Sequence, residues 1–104
     1  MAKFMAVARA DELGPGDMKL VQLGDEEVVL ANVDGAFYAF GNKCTHVGGP
    51  LAEGVLSGDA VRCPWHGTEF NVKTGEALRG PGTDPVPIYE VRVEDGEVSI
   101  AARG

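Results

Sequence analysis

Two short blocks constrain this chain more than anything else in it: Cys44-Thr45-His46-Val47-Gly48-Gly49-Pro50-Leu51 and Cys63-Pro64-Trp65-His66-Gly67-Thr68. The chain has two cysteines and two histidines, and these blocks contain all four. The spacing is C-x-H, sixteen intervening residues, then C-x-x-H, so each block supplies one thiolate and one imidazole. Both are metal ligands, and paired cysteines of a reducing compartment point to metal or redox chemistry. Flanking glycines let the backbone turn sharply and bring N–H groups toward an anionic centre. A lone cysteine or histidine is usually structural, but four in two matched blocks are harder to explain that way. Tetrahedral zinc is the chemical rival, since two Cys and two His suit it. Its commoner finger layout pairs Cys with Cys and His with His, which this chain does not do. A Cys44–Cys63 disulfide would leave both histidines idle.

The rest of the chain reads as short strands and turns. At 104 residues it is one domain by length. Such a domain buries only about two thirds of its unfolded surface, so a metal that clamps two loops would add stability. Strands are expected at Phe4–Ala8, Met18–Leu23, Glu27–Val33 and Ala36–Phe40, and again at Val86–Val93 and Val98–Ala101. Asp34-Gly35 and Asp95-Gly96 are hairpin signals of the type I′ kind, and Gly24-Asp25 separates two further strands. From about Gly41 to Gly82 glycine is dense and strands are very short, at Val55–Leu56, Ala60–Arg62 and Glu69–Val72, with a tight turn at Thr74-Gly75. The expected fold is therefore all-β: an antiparallel sheet base from residues 1–40 and 83–104, with a loop-rich lobe, 41–82, inserted between them. All four Cys and His residues fall in that lobe.

The formal charge of −7 disfavours nucleic acid and anionic membranes and favours a protein partner with a basic docking face. No stretch has the apolar length of a membrane span. Lys3 and the run Phe4–Ala8 faintly imitate a signal peptide, but five apolar residues fall short of the roughly seven to fifteen needed. That run reads as the first strand, and the protein as cytoplasmic.

C-x-H paired with C-x-x-H, embedded in CTHVGGPL and CPWHGTEF, resembles the Rieske ferredoxin family, and the resemblance covers nearly the whole chain. It implies a β-sandwich base bearing a cluster-binding lobe, the Rieske fold, and one 2Fe–2S cluster. Cys44 and Cys63 would hold one iron, and His46 and His66 the other. The run Gly80-Pro81-Gly82-Thr83-Asp84-Pro85-Val86-Pro87 resembles the proline-containing loop that covers the cluster in that family. Gly49 and Trp65 stand where members of cytochrome bc complexes carry two disulfide-forming cysteines. Thr68 and Phe70 stand where high-potential members carry a serine and a tyrosine whose hydroxyls bond cluster sulfurs.

A terminal oxygenase of this family also needs a mononuclear iron, usually on two histidines and a carboxylate. Both histidines here are already committed, and at this length no second domain is expected to house that iron. The resemblance thus implies not an enzyme but a monomeric one-electron carrier between a flavin-containing NAD(P)H reductase and a separate terminal oxygenase. The small Rieske-like subunit of a nitrite reductase is the alternative within the family. A zinc-stabilised interaction module is the alternative outside it.

Overall fold

A computed structural model describes residues 4–44, 48–65, 67–80 and 84–101. Eleven strands form three antiparallel sheets among them. Strands β1 (Phe4–Arg9), β10 (Val91–Glu94) and β11 (Glu97–Ala101) make one, in the order β1-β11-β10. Strands β2 (Met18–Leu23), β3 (Glu26–Val33), β4 (Ala36–Gly41) and β9 (Ile88–Tyr89) make the second, in that order. Strands β5 (Val55–Ser57), β6 (Ala60–Arg62), β7 (Glu69–Asn71) and β8 (Ala77–Arg79) form a meander that makes the third.

The turns follow their residues. Asp34 and Gly35 both take positive φ (52° and 92°), as do Asp95 and Gly96 (52° and 76°), the requirement of a type I′ hairpin. Gly24-Asp25 and Gly58-Asp59 also link adjacent strands through two residues, but there only the glycine is at positive φ. Order within the dipeptide thus selects the turn: a leading glycine takes the left-handed position alone.

The second sheet is the middle layer of the molecule, because β3 is apolar on both faces. Side chains alternate along a strand. Val28 and Leu30 enter a core with Leu13, Val21, Leu23, Ala39, Tyr89, Val98 and Ile100. Val29, Ala31 and Val33 enter a second core with Phe40, Leu51, Val61, Phe70, Val72, Val86 and the two cysteines. Strand β4 divides in the same way, Ala39 to the first core and Phe40 to the second. The cysteine lobe therefore rests on the reverse side of the sheet whose front closes the sandwich.

Three local expectations differ from the structure. The segment read as one strand over Val86–Val93 is two, β9 and β10, on different sheets. Between them the Glu90 carbonyl accepts a bond from the Ala101 N–H (3.0 Å), while upstream the Pro87 carbonyl accepts one from Gly41 (2.9 Å). The chain crosses between layers there. Strand β8 went unforeseen because Ala77-Leu78-Arg79 contains no β-branched or aromatic residue. Two single 3-10 turns, Ala10–Glu12 and Leu51–Glu53, are too short to leave a helical period in sequence.

Candidate metal centre

Each cysteine is carried at the mouth of a backbone-closed loop. In the first, Lys43 pairs with Pro50 as an isolated antiparallel bridge. Inside it the Cys44 N–H donates to the Gly49 carbonyl (2.9 Å) and the Gly48 N–H to the Cys44 carbonyl (2.7 Å). Gly48, at φ 74°, takes the left-handed conformation this closure requires. The buried Asn42 fixes the base of the loop: its carbonyl accepts from Leu51 (2.7 Å) and its side-chain oxygen from Ala52 (2.9 Å). In the second loop, which joins β6 to β7, the Cys63 N–H donates to the Thr68 carbonyl (2.8 Å). The Trp65 N–H reaches back to Cys63 Sγ (3.4 Å).

These closures bring both sulfurs to one place. Cys44 and Cys63 are each 2 % exposed, carry free thiols and belong to the same core cluster. Burial pushes the Cys63 thiol up from its ordinary pKa; the Trp65 N–H pulls it back, and the adjoining Cys44 side chain raises it further. Two adjacent buried thiols resist becoming two thiolates unless a cation arrives between them. The donor set therefore suits a metal centre. Gly49 leaves the approach clear, since a β-carbon there would stand 2.9 Å from Cys63 Sγ. No third His, Cys, Asp or Glu joins this pair among the described residues. His46 and His66 lie outside the described residues, as do Thr45, Val47 and Pro81–Thr83 of the proline-containing run.

The surroundings match a centre that is buried on one side and open on the other. Leu51, Val61 and Phe70 are fully buried in the same cluster as the cysteines, and Thr68, whose carbonyl accepts from Cys63, is fully buried too. Trp65 (51 %), Val55 (63 %) and Leu78 (50 %) are exposed on the same lobe. Gly80, at the head of the proline-containing run, packs directly on the second cysteine loop: at φ 101°, its β-position would lie 2.6 Å from the Thr68 α-carbon. Sequence reasoning did not foresee this contact, nor the service of Asn42; the glycine at the head of the proline run was the available signal.

The family model described as Rieske [2Fe-2S] domain matches residues 3–90. The chain belongs to the Rieske [2Fe-2S] family. Its cofactor is accordingly a Rieske-type 2Fe–2S cluster, which takes up and returns one electron. Among Rieske relatives, ferredoxin CarAc of Metapseudomonas resinovorans is 38% identical over 99 residues, which are 94% of this chain and 92% of that protein. Apoptosis-inducing factor 3 of Mus musculus is 44% identical over 96 residues. The chain spans only 16% of that relative's length. The solved complex of reduced oxygenase and oxidized ferredoxin in carbazole 1,9a-dioxygenase contains a chain with TM-score 0.90 and 38% identity, covering 94% of this chain and 92% of that one. A structure described as a putative NADH-dependent nitrite reductase small subunit from Mycobacterium tuberculosis gives 0.89 and 27%, covering 100% and 98%. Among the described residues no helix is long and apolar enough to cross a membrane.

Proposed function

We propose that this chain carries one electron at a time from a flavin-containing NAD(P)H reductase to a terminal oxygenase. In this reading Cys44 and Cys63 hold one iron of the cluster, His46 and His66 hold the other, and lobe 41–82 stands on base 1–40 and 83–104. The observation that carries it is the convergence of two free, buried thiols from separate loops, Cys44 and Cys63. The similarity to a ferredoxin solved in complex with its oxygenase supports transfer in that direction. The chain's own contribution is to seat the sulfurs in a dry core, donate the Trp65 N–H to one of them and leave the opposite side accessible. Residence in the cytoplasm and action as a monomer belong to the same reading.

The test is direct. Purified protein should hold iron and acid-labile sulfide, about two of each per chain, and be reducible by one electron. Reduction should give an electron paramagnetic resonance signal with average g below the free-electron value, as mixed nitrogen and sulfur ligation produces. Reduced protein should then be reoxidised by an oxygenase component with substrate. Zinc without sulfide would end this reading in favour of an interaction module. The likeness to a nitrite reductase small subunit supports a second reading, a subunit of that enzyme. Stable association with a nitrite-reducing partner, and no transfer to any oxygenase, would decide for it.

A further inference from the structure

Arg62 is the last residue of β6 and immediately precedes Cys63. Strand alternation sends Val61 into the core opposite Phe70 and turns Arg62 to the outer face, opposite Val55 and Glu69. Its cross-strand carboxylate is taken, because Glu69 pairs with Arg79 (3.8 Å). Arg9, Lys19, Arg79 and Arg92 each face a carboxylate, whereas Arg62, like Lys43 and Lys73, makes no ion pair among the described residues. Its guanidinium folds instead over Gly67, where a β-carbon would stand 3.1 Å from one terminal nitrogen and 3.2 Å from Nε. Gly67, at φ 76°, has no side chain to hold the cation off. The charge thus lies over the second cysteine loop, bordering a groove lined by Glu53, Val55, Cys63 and Pro64.

We infer that Arg62 is a positioning residue for charge: unpaired and laid over Gly67, it raises the reduction potential of the cluster. This rests on the ligand assignment proposed above. Two thiolates balance the 2+ charge of the oxidised 2Fe–2S core, so reduction creates one net negative charge. A fixed cation nearby stabilises the reduced form more than the oxidised one. Arginine keeps its charge at every pH the protein survives. Arg62 is exposed, so water and salt attenuate the effect without changing its sign.

The test is a redox titration of holoprotein at one pH and low ionic strength, comparing wild type with Arg62→Gln, Arg62→Met and Arg62→Lys. The two neutral variants should shift the reduced-to-oxidised ratio at a given potential about three- to tenfold toward oxidised, that is, about 28–59 mV lower. Arg62→Lys should recover most of the difference, and added salt should narrow the gap between wild type and Arg62→Gln. Equal potentials in fully loaded wild type and neutral variants would overturn the role of Arg62 and leave the carrier reading standing. So would a Lys variant as low as the Gln variant, or loss of iron and sulfide in both neutral variants, which would assign the residue to holding the loop. A wild-type chain with no reversible one-electron step would sink both.

Discussion

Gly49 and Trp65 meet across the gap between the two cysteine loops, with a β-carbon position on Gly49 only 3.1 Å from Trp65 Cδ2 and 2.9 Å from Cys63 Sγ. By the resemblance read from the sequence, these positions correspond to the bridging cysteines of cytochrome bc members. Here the loops are held by packing of an indole on bare backbone, and no covalent bond joins them. Overfilling such a contact costs about 1–3 kcal/mol. Gly49→Ala should therefore bleach faster on warming than wild type, followed by the visible absorbance of the cluster. Adding Trp65→Ala should restore part of the loss, because it removes one of the two groups in the way. Full additivity of the two changes would show that the contact does not couple the loops.

Gly48 in the first loop and Gly54 just beyond it should respond to alanine for different reasons. Gly48 has open space around its β-position but sits at φ 74°, so Gly48→Ala should cost roughly 1–2 kcal/mol of backbone strain. Gly54 has an ordinary φ of −83°, but a β-carbon there would run into the Arg62 carbonyl. The Leu51 carbonyl stands 3.2 Å away on another side, and neither backbone group can swing aside as a side chain would. Gly54→Ala should be the worse variant, at or beyond the ~3 kcal/mol top of the usual overpacking range. Thermal melts of both variants decide the order.

Phe70 lies fully buried in the core cluster that contains both cysteines. A hydroxyl donated from this position to a cluster sulfur would favour the reduced state. Hydrogen bonds to charged groups are worth about 1.5–3 kcal/mol; if roughly 1–2 kcal/mol of this is differential, Phe70→Tyr should raise the potential by about 40–90 mV. Wild type should accordingly lie toward the low end of the family's span of about −150 to +300 mV. An unchanged potential in a variant whose new hydroxyl is seen bonded to sulfur would refute the argument.

The base has its own pH dependence. Glu12 accepts a bond from Lys19 Nζ (2.6 Å) and one from the Arg9 N–H (2.8 Å). The Lys19 bond, then the Arg9 bond, hold the carboxyl below its ordinary value. A depressed acid stabilises the fold above its unfolded pKa and loses that contribution as pH falls through the folded one. The melting temperature of wild type should exceed that of Glu12→Gln by a small, constant amount at neutral pH. The gap should close on acidification below about pH 4.5. A gap that widens in acid would contradict the sign.

Much of this was legible in sequence because the signals were local. Asp34-Gly35 and Asp95-Gly96 dictate their turns through φ alone, and the apolar run of β3 announces burial on both faces. The cysteine–histidine blocks give the ligand candidates for a similar reason, as spacing within a loop is short-range information. What stayed hidden depends on contacts between distant segments. Nothing in Val86–Val93 says that the chain changes layers near Glu90, since that is set by partners at Gly41 and Ala101. The placement of Arg62 over Gly67 depends on Glu69 being engaged by Arg79, seventeen residues beyond Arg62 in the chain.

Strand β3 gives Val28 and Leu30 to one core and Val29, Ala31 and Val33 to the other. Val28 and Leu30 can be sealed by β1, β10, β11 and their neighbours without any help from the cysteine loops. The two cores thus share the wall of β3 and β4 but no buried side chain. A disturbance that begins behind Leu30 reaches the sulfurs only by moving the backbone that both cores lean on.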